Sequence, residues 1–311
     1  MIVPWSDAHP HEIARLLDVV RPDDPLARVL ADVHGPDRDG DGRFRRSLVA
    51  VRADRIVGVG TVWEADLHPA RWRLSIQVHP SARREGVGTA LLNVLLALGT
   101  ARDHRPFQAA TRADNAAGMG LLRRKAFAPL MRTRIGRLDP AAMAADDGDR
   151  FDAMGYRVVA FPDRPVVVSA QSVADMHAEA YARSHATWNP VRPLDAAERI
   201  DLFLGDDLIP DALFLALAGD EVAGFGSLRA GAGPGDVDLG WVGVATGHED
   251  RAKSIISAVV GRCLDRARRD GMVMSVEVDD ADLAVSALLD TLPNGWEPDW
   301  LAFARPGPPT G

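Results

Sequence analysis

The chain has 311 residues, 47% of them hydrophobic and 26% charged, with a net charge of −8. This length exceeds what one core usually serves, so two domains are expected, and the acidic balance argues against a nucleic-acid partner. A single cysteine, Cys263, excludes an internal disulfide. No apolar stretch reaches membrane-spanning length, and residues 1–10 carry no basic or apolar leader, so a cytoplasmic protein without a membrane partner is expected.

In chain order, Ile2–Trp5 reads as a short strand. Ile13, Leu16, Leu17 and Val20 have helical spacing over residues 11–20. The loop 35–42 alternates Asp37, Asp39 and Asp41, but no Glu closes a calcium-binding pattern, so no metal is expected. Ser47–Val51 and Ile56–Trp63 flank the polar turn Arg52–Arg55 as a hairpin. Leu74–Val78 alternates as a strand, a basic glycine turn follows, and Thr89–Leu98 is an aliphatic helix. A strand at Phe107–Thr111, a helix over 115–125 and a strand over 130–138 complete the first half. Residues 140–149 are small and acidic, which places a linker there and domains at 1–143 and 144–311.

The turn carries the chemistry. A helix start presents backbone N–H groups without internal partners and a partial positive charge, a ready anion site. Gly86 and Gly88 let the backbone approach an anion, and Arg83 and Arg84 supply charge-assisted contacts to phosphate oxygens. The glycine spacing is not that of a dinucleotide fingerprint, no βαβ unit is read around it, and no Gly-Lys-Ser/Thr follows as in a P-loop. A basic surface turn is the plain alternative for the hexad alone.

Arg83, Gly86 and Gly88, with Asn115, Leu121 and Phe127 downstream, resemble the two motifs of the GNAT superfamily of acyl-CoA-dependent N-acyltransferases. The match spans roughly residues 43–137. Leu122 stands where the family often has Tyr, and Ala126 where it has Gly. The resemblance implies acetyl-CoA bound by Ile76, Gln77, Val78, the turn Arg83, Arg84, Glu85, Gly86, Val87, Gly88 and Thr89, and Asn115. It also implies the backbone N–H of Val78 as the oxyanion donor.

The second half repeats the first. Asp54–Val62 aligns with Asp220–Leu228, both with Gly-x-Gly after a turn, and the later elements stay in step. The expected class is α/β (α+β): two tandem GNAT-like domains, each a mixed, mostly antiparallel sheet flanked by helices. Extended without gaps, the alignment sets Arg83, Arg84, Gly86 and Gly88 against Glu249, Asp250, Ala252 and Ser254. Carboxylates repel a diphosphate, so the second half is read as having lost its CoA site. The tandem arrangement is also similar to that of mycothiol synthase, where the second half is the catalytic one.

The reading is an N-acetyltransferase moving an acetyl group from acetyl-CoA to a small-molecule amine, as a monomer or homodimer. A protein acetyltransferase and a non-catalytic acyl-CoA sensor stay open as alternatives. Glu64 leads the candidates for general base, ahead of Asp66, His68 and His79. The first half has no Tyr, which leaves water, Tyr156 or Tyr181 as the acid. Trp188-Asn189-Pro190 is a candidate pocket wall.

Overall fold

The computed structural model describes residues 1–6, 9–20, 33–40, 43–142, 155–231, 233–292 and 294–307. Asp41, and the expected linker from residue 143 on, lie outside them. Two compact units result. The first comprises Met1–Leu130, Asn189–Arg192 and Trp300–Gly311; the second comprises Met131–Trp188 and Pro193–Asp299.

In the first unit, β1 (Ile2–Pro4), β2 (Arg45–Arg52), β3 (Arg55–Glu64) and β4 (Trp72–Val78) form an antiparallel sheet. β4 then pairs in parallel with β5 (Phe107–Arg112) through the crossover helix α2 (Val87–Arg102). The turn is therefore set in a βαβ unit after all, contrary to the sequence reading; glycine spacing alone separates it from a dinucleotide site. A parallel pair needs such a crossover, and the aliphatic run of α2 supplies it.

Leu91, Leu92 and Leu95 of α2 pack with Trp72, Val62 and Phe107 in the buried core. On the other face α1 (Pro10–Val20) buries Ile13, Leu16 and Leu17 against Val49 and Val59. The Gly-x-Gly of β3 has a packing cause. A Cβ on Gly60 would stand 2.9 Å from Leu95 Cδ1, and one on its counterpart Gly226 would stand 3.0 Å from Val259 of the second unit's long helix.

The second unit repeats this plan, with β7 (Arg157–Ala160), β8 (Leu208–Ala218), β9 (Glu221–Ala230) and β10 (Asp236–Val244) antiparallel. The crossover helix α6 (Ala252–Arg269) leads to β11 (Val273–Asp279), parallel to β10. The registers match the repeat: Gly58 faces Val78 as Gly224 faces Val244. Sequence reading did not give α4 (Ala170–His185) or α5 (Ala196–Leu204), the latter closed by an Asp195/Glu198 capping box.

Two strands do not follow the expected cut at residue 143. β6 (Ala128–Leu138) follows α3 (Ala116–Arg124) of the first half, yet it pairs with β11 and β12 (Asn294–Trp296). The last strand, β13 (Trp300–Arg305), pairs with β5. It follows α7 (Leu283–Leu289). Each unit is thus completed by the other half's final strand. Phe303 is buried in the first unit's core and Leu138 in the second's.

Candidate active site

The first unit's cleft opens where a strand pair ends. β4 and β5 are paired only at Trp72–Leu74 with Phe107–Ala109, so Ser75–Val78 runs on without a partner on that side. Register fixes where the backbone points. His79 N–H donates to Val57 O at 2.9 Å, so the neighbouring pair Gly58/Val78 is a non-hydrogen-bonded one. The N–H and C=O of Val78 therefore face away from β3, toward the splay. Arg83 Nε donates to that carbonyl at 3.1 Å, which ties the basic turn to the end of the strand.

The turn closes as a 3-10 segment, Pro80–Ala82, that His79 caps: its Nδ1 accepts from Ser81 N–H at 3.2 Å. His79 is thus a capping group of the turn. Gly86 is the N-cap of α2 at φ +85°, and no side chain caps the helix. A side-chain cap would occupy the donors an anion needs. Arg84 holds φ +65°, a conformation costly for a residue with a Cβ. Arg52 pairs with Glu85 and holds that carboxylate.

The cleft has a volume of about 760 Å³. Of the predicted residues, it brings together Ile76, Gln77, Val78, Arg83, Arg84, Gly86, Val87, Gly88, Thr89 and Asn115. Glu85 is not in the lining. Asn115 also serves the fold, since its Oδ1 accepts from Gly118 N–H at 3.0 Å and starts α3. Sequence reading missed Arg112 and Arg124, which also line the cleft, giving four arginines there against the single carboxylate Asp114.

Glu64 does not line this cleft. Its carboxylate is 2.7 Å from Arg105 Nη1, and Arg105 also holds Asp103 and lies 3.9 Å over the Trp72 ring. That buttress explains the charge at the end of β3 and corrects the expectation of a base. Asp66 pairs with Arg192 at 2.9 Å, and His68 Nδ1 sits 2.7 Å from Asn189 O. The Asn189–Arg192 stretch straps the β3–β4 connection and does not wall the cleft. Leu122 is buried in the core; Leu121 is the residue that reaches the cleft. Tyr156 lies beside His248, 3.3 Å from Nδ1, and Tyr181 lines a cleft of the second unit.

In that unit the same strand end gives a different surface. Ala245 N–H donates to Ala223 O, so Val244 also turns its carbonyl outward, where Arg183 of α4 donates to it at 2.6 Å. The turn itself is acidic: Glu249 Oε2 accepts from Gly247 N–H at 2.8 Å. The bonds from its own N–H and from Gly247 hold its carboxyl below the usual range. The start of α6, like that of α2, has no side-chain cap; the difference lies in the turn before it, where Glu249 and Asp250 stand in place of Arg83 and Arg84 and repel an anion. Cys263 is fully buried and its thiol is pushed up by desolvation, so it is an inert core group.

Residues 13–127 match the family model described as Acetyltransferase (GNAT) family. No curated protein matches the chain in sequence. Among solved structures, the chain is similar to a GCN5-related N-acetyltransferase from Sphaerobacter thermophilus, at 17% identity and TM-score 0.68, covering 99% of this chain and 96% of that one. It is similar to a tandem GNAT protein from the clavulanic acid biosynthesis pathway, at 19% identity and TM-score 0.61, covering 100% and 99%. A putative acetyltransferase from Pyrococcus horikoshii matches at 14% identity and TM-score 0.54, covering 99% and 89%. Residues 13–127 thus match the GNAT acetyltransferase model, the solved structures share the fold across both units, and the second unit repeats the strand plan of the first.

Proposed function

We propose that the chain is an acetyl-CoA-dependent N-acetyltransferase whose acceptor is a small-molecule amine, with acetyl-CoA in the first unit's cleft. The observation that carries this is the uncapped start of α2, with Gly86 left-handed, opening into a cleft lined by Arg83, Arg84, Arg112 and Arg124. Aligned N–H groups and cations are what a diphosphate needs. When bound, acetyl-CoA supplies the activated acyl group.

The residues around it bind and orient. Ile76 and Gln77 line the path along the splayed strand, and Val78 N–H donates to the acyl oxygen as charge develops there. That donor is fixed in advance, because β3 holds the other edge of the strand. The equivalent turn of the second unit sets Glu249 and Asp250 where the first has Arg83 and Arg84, so one acetyl-CoA is held per chain.

Titration calorimetry with acetyl-CoA tests the binding, and release of free thiol across a panel of amines tests the transfer. One site per chain with amine-dependent thiol release is expected. Two equivalent sites would refute the reading of the second turn. Binding without thiol release from any amine would favour an acyl-CoA sensor.

A further inference from the structure

The second unit has its own cleft, of about 410 Å³, between the free end of β10, α4 and the start of α7. We propose that this cleft binds a small organic amine: its carboxylates, Glu277 and Asp282 foremost, take the ammonium, and its rings, Tyr181 and Trp241, take the body.

The charge has the right sign. Glu249, Glu277, Asp279 and Asp282 line the cleft against one arginine, Arg183, and Arg183 is engaged by the Val244 carbonyl, Thr246 and Glu249. Glu277 sits inside the concavity yet stays open to solvent, and no described residue gives it a salt bridge. Desolvation of the carboxyl within the concavity, and then Asp279 and Asp238, raise it above the usual range. A cation entering the cleft would relieve that. An anion would not, because it would meet the same carboxylates. Among the described residues no group is placed to hold a metal ion.

The rings have the right form. His177, Tyr181 and His185 recur at four-residue steps on α4 and so share one face. Tyr181 lies 4.7 Å from Trp241, edge to face, and 4.0 Å from His185. Aromatic faces beside carboxylates suit an organic cation.

The polar atoms ask for a partner. His177 is only 1% exposed and lines the cleft, stacked on Phe225 at 3.6 Å, and neither of its ring nitrogens has a hydrogen-bond partner. The buried Nε1 of Trp241 has none either. Unmet buried donors and acceptors are rare and costly. An amine whose body carries a hydroxyl would satisfy the indole N–H.

The binding comparison uses the full chain without any CoA, which enters only in a final competition, so it stands apart from the acetyl-CoA reading. The probe is tyramine, which carries an ammonium and a phenol oxygen. Tyrosol, with a hydroxyl replacing the ammonium, is its neutral counterpart. Calorimetry should show tyramine binding at one site, about tenfold or more tighter than tyrosol, as a charge-assisted contact implies. Glu277→Gln should close that gap, and Trp241→Phe should weaken both ligands. Excess acetyl-CoA should not displace tyramine. The proposal falls if tyramine gives no binding, if the two probes bind alike, if a folded Glu277→Gln keeps the gap, or if acetyl-CoA competes. The comparison of tyramine with tyrosol on the unmodified chain decides the matter even where a variant fails to fold.

Discussion

Replacing Gly86 by Val separates what the turn does for the fold from what it does for the ligand. The residue sits at φ +85°, and a Cβ placed there meets no atom within 4 Å. The cost to the unliganded protein is therefore backbone strain alone, about 1–3 kcal/mol for a residue with a Cβ. At about 2–4 °C per kcal/mol for a chain of this size, the melting temperature should fall by only about 10 °C or less. Relief of that strain rotates the turn and takes the first N–H groups of α2 off the diphosphate. Two charge-assisted bonds at about 1.5–3 kcal/mol each imply a loss of affinity for acetyl-CoA of about a hundredfold or more. Gly86→Asn is the control, since Asn tolerates the left-handed region; it should keep most of the affinity. Calorimetry and a thermal melt on the three proteins check this. Unchanged binding by Gly86→Val would refute the site, and a collapse in melting temperature would show a structural glycine.

Changing Arg83 and Arg84 together to Ala should weaken acetyl-CoA by on the order of a hundredfold, read by the same calorimetry. Arg84→Gly relieves a positive φ and should keep the melting temperature close to the parent while losing affinity; a joint loss of both would contradict the turn's geometry. Leu122→Tyr places a hydroxyl in the core, where an unmet polar group costs about 1–3 kcal/mol, so it should lower the melting temperature and give no gain in thiol release. The last prediction concerns acid. Burial, with Arg229 adding, pulls His177 down to about 3, well below its unfolded value. As pH falls below about 6.5 the unfolded chain gains a proton that the folded one refuses, so stability drops by up to about 1.4 kcal/mol per pH unit until the folded value is reached. Between pH 7 and pH 5, His177→Phe should lose about 2 kcal/mol less than the parent in urea titrations. An equal loss in both proteins would show that the ring already charges in the fold.

Local chemistry was legible where it is written locally. Gly86, the arginines before it and the apolar helix after it announce the anion turn, and Gly58-Val59-Gly60 against Gly224-Phe225-Gly226 announces the repeat, because both glycine pairs make room for a helix. What escaped depends on partners far along the chain. Glu64 looks like a free carboxylate until Arg105, which no period or spacing assigns to it, is seen beside it. The parallel pairing of β4 and β5 is likewise invisible in either strand alone. Arg112 and Arg124 read as surface charges; only the splay makes them face a cleft. The stripe His177, Tyr181 and His185 was available as a helical face, but nothing nearby marks what it faces.

The strand exchange between β6 and β13 bears on how the protein is made. As the chain leaves the ribosome, β5 emerges long before the residues that will cover its edge, since Phe107 must wait for Arg305. N-terminal segments usually fold as they emerge, but here the first repeat stays an unfinished sheet with an open edge until β13 has been made. Closing it spans most of the chain, which slows the last step more than it weakens the product. An exposed edge in the meantime invites pairing with another nascent chain. The same exchange binds the two repeats into one gene: neither can be lost, or inherited alone, without leaving the other a strand short.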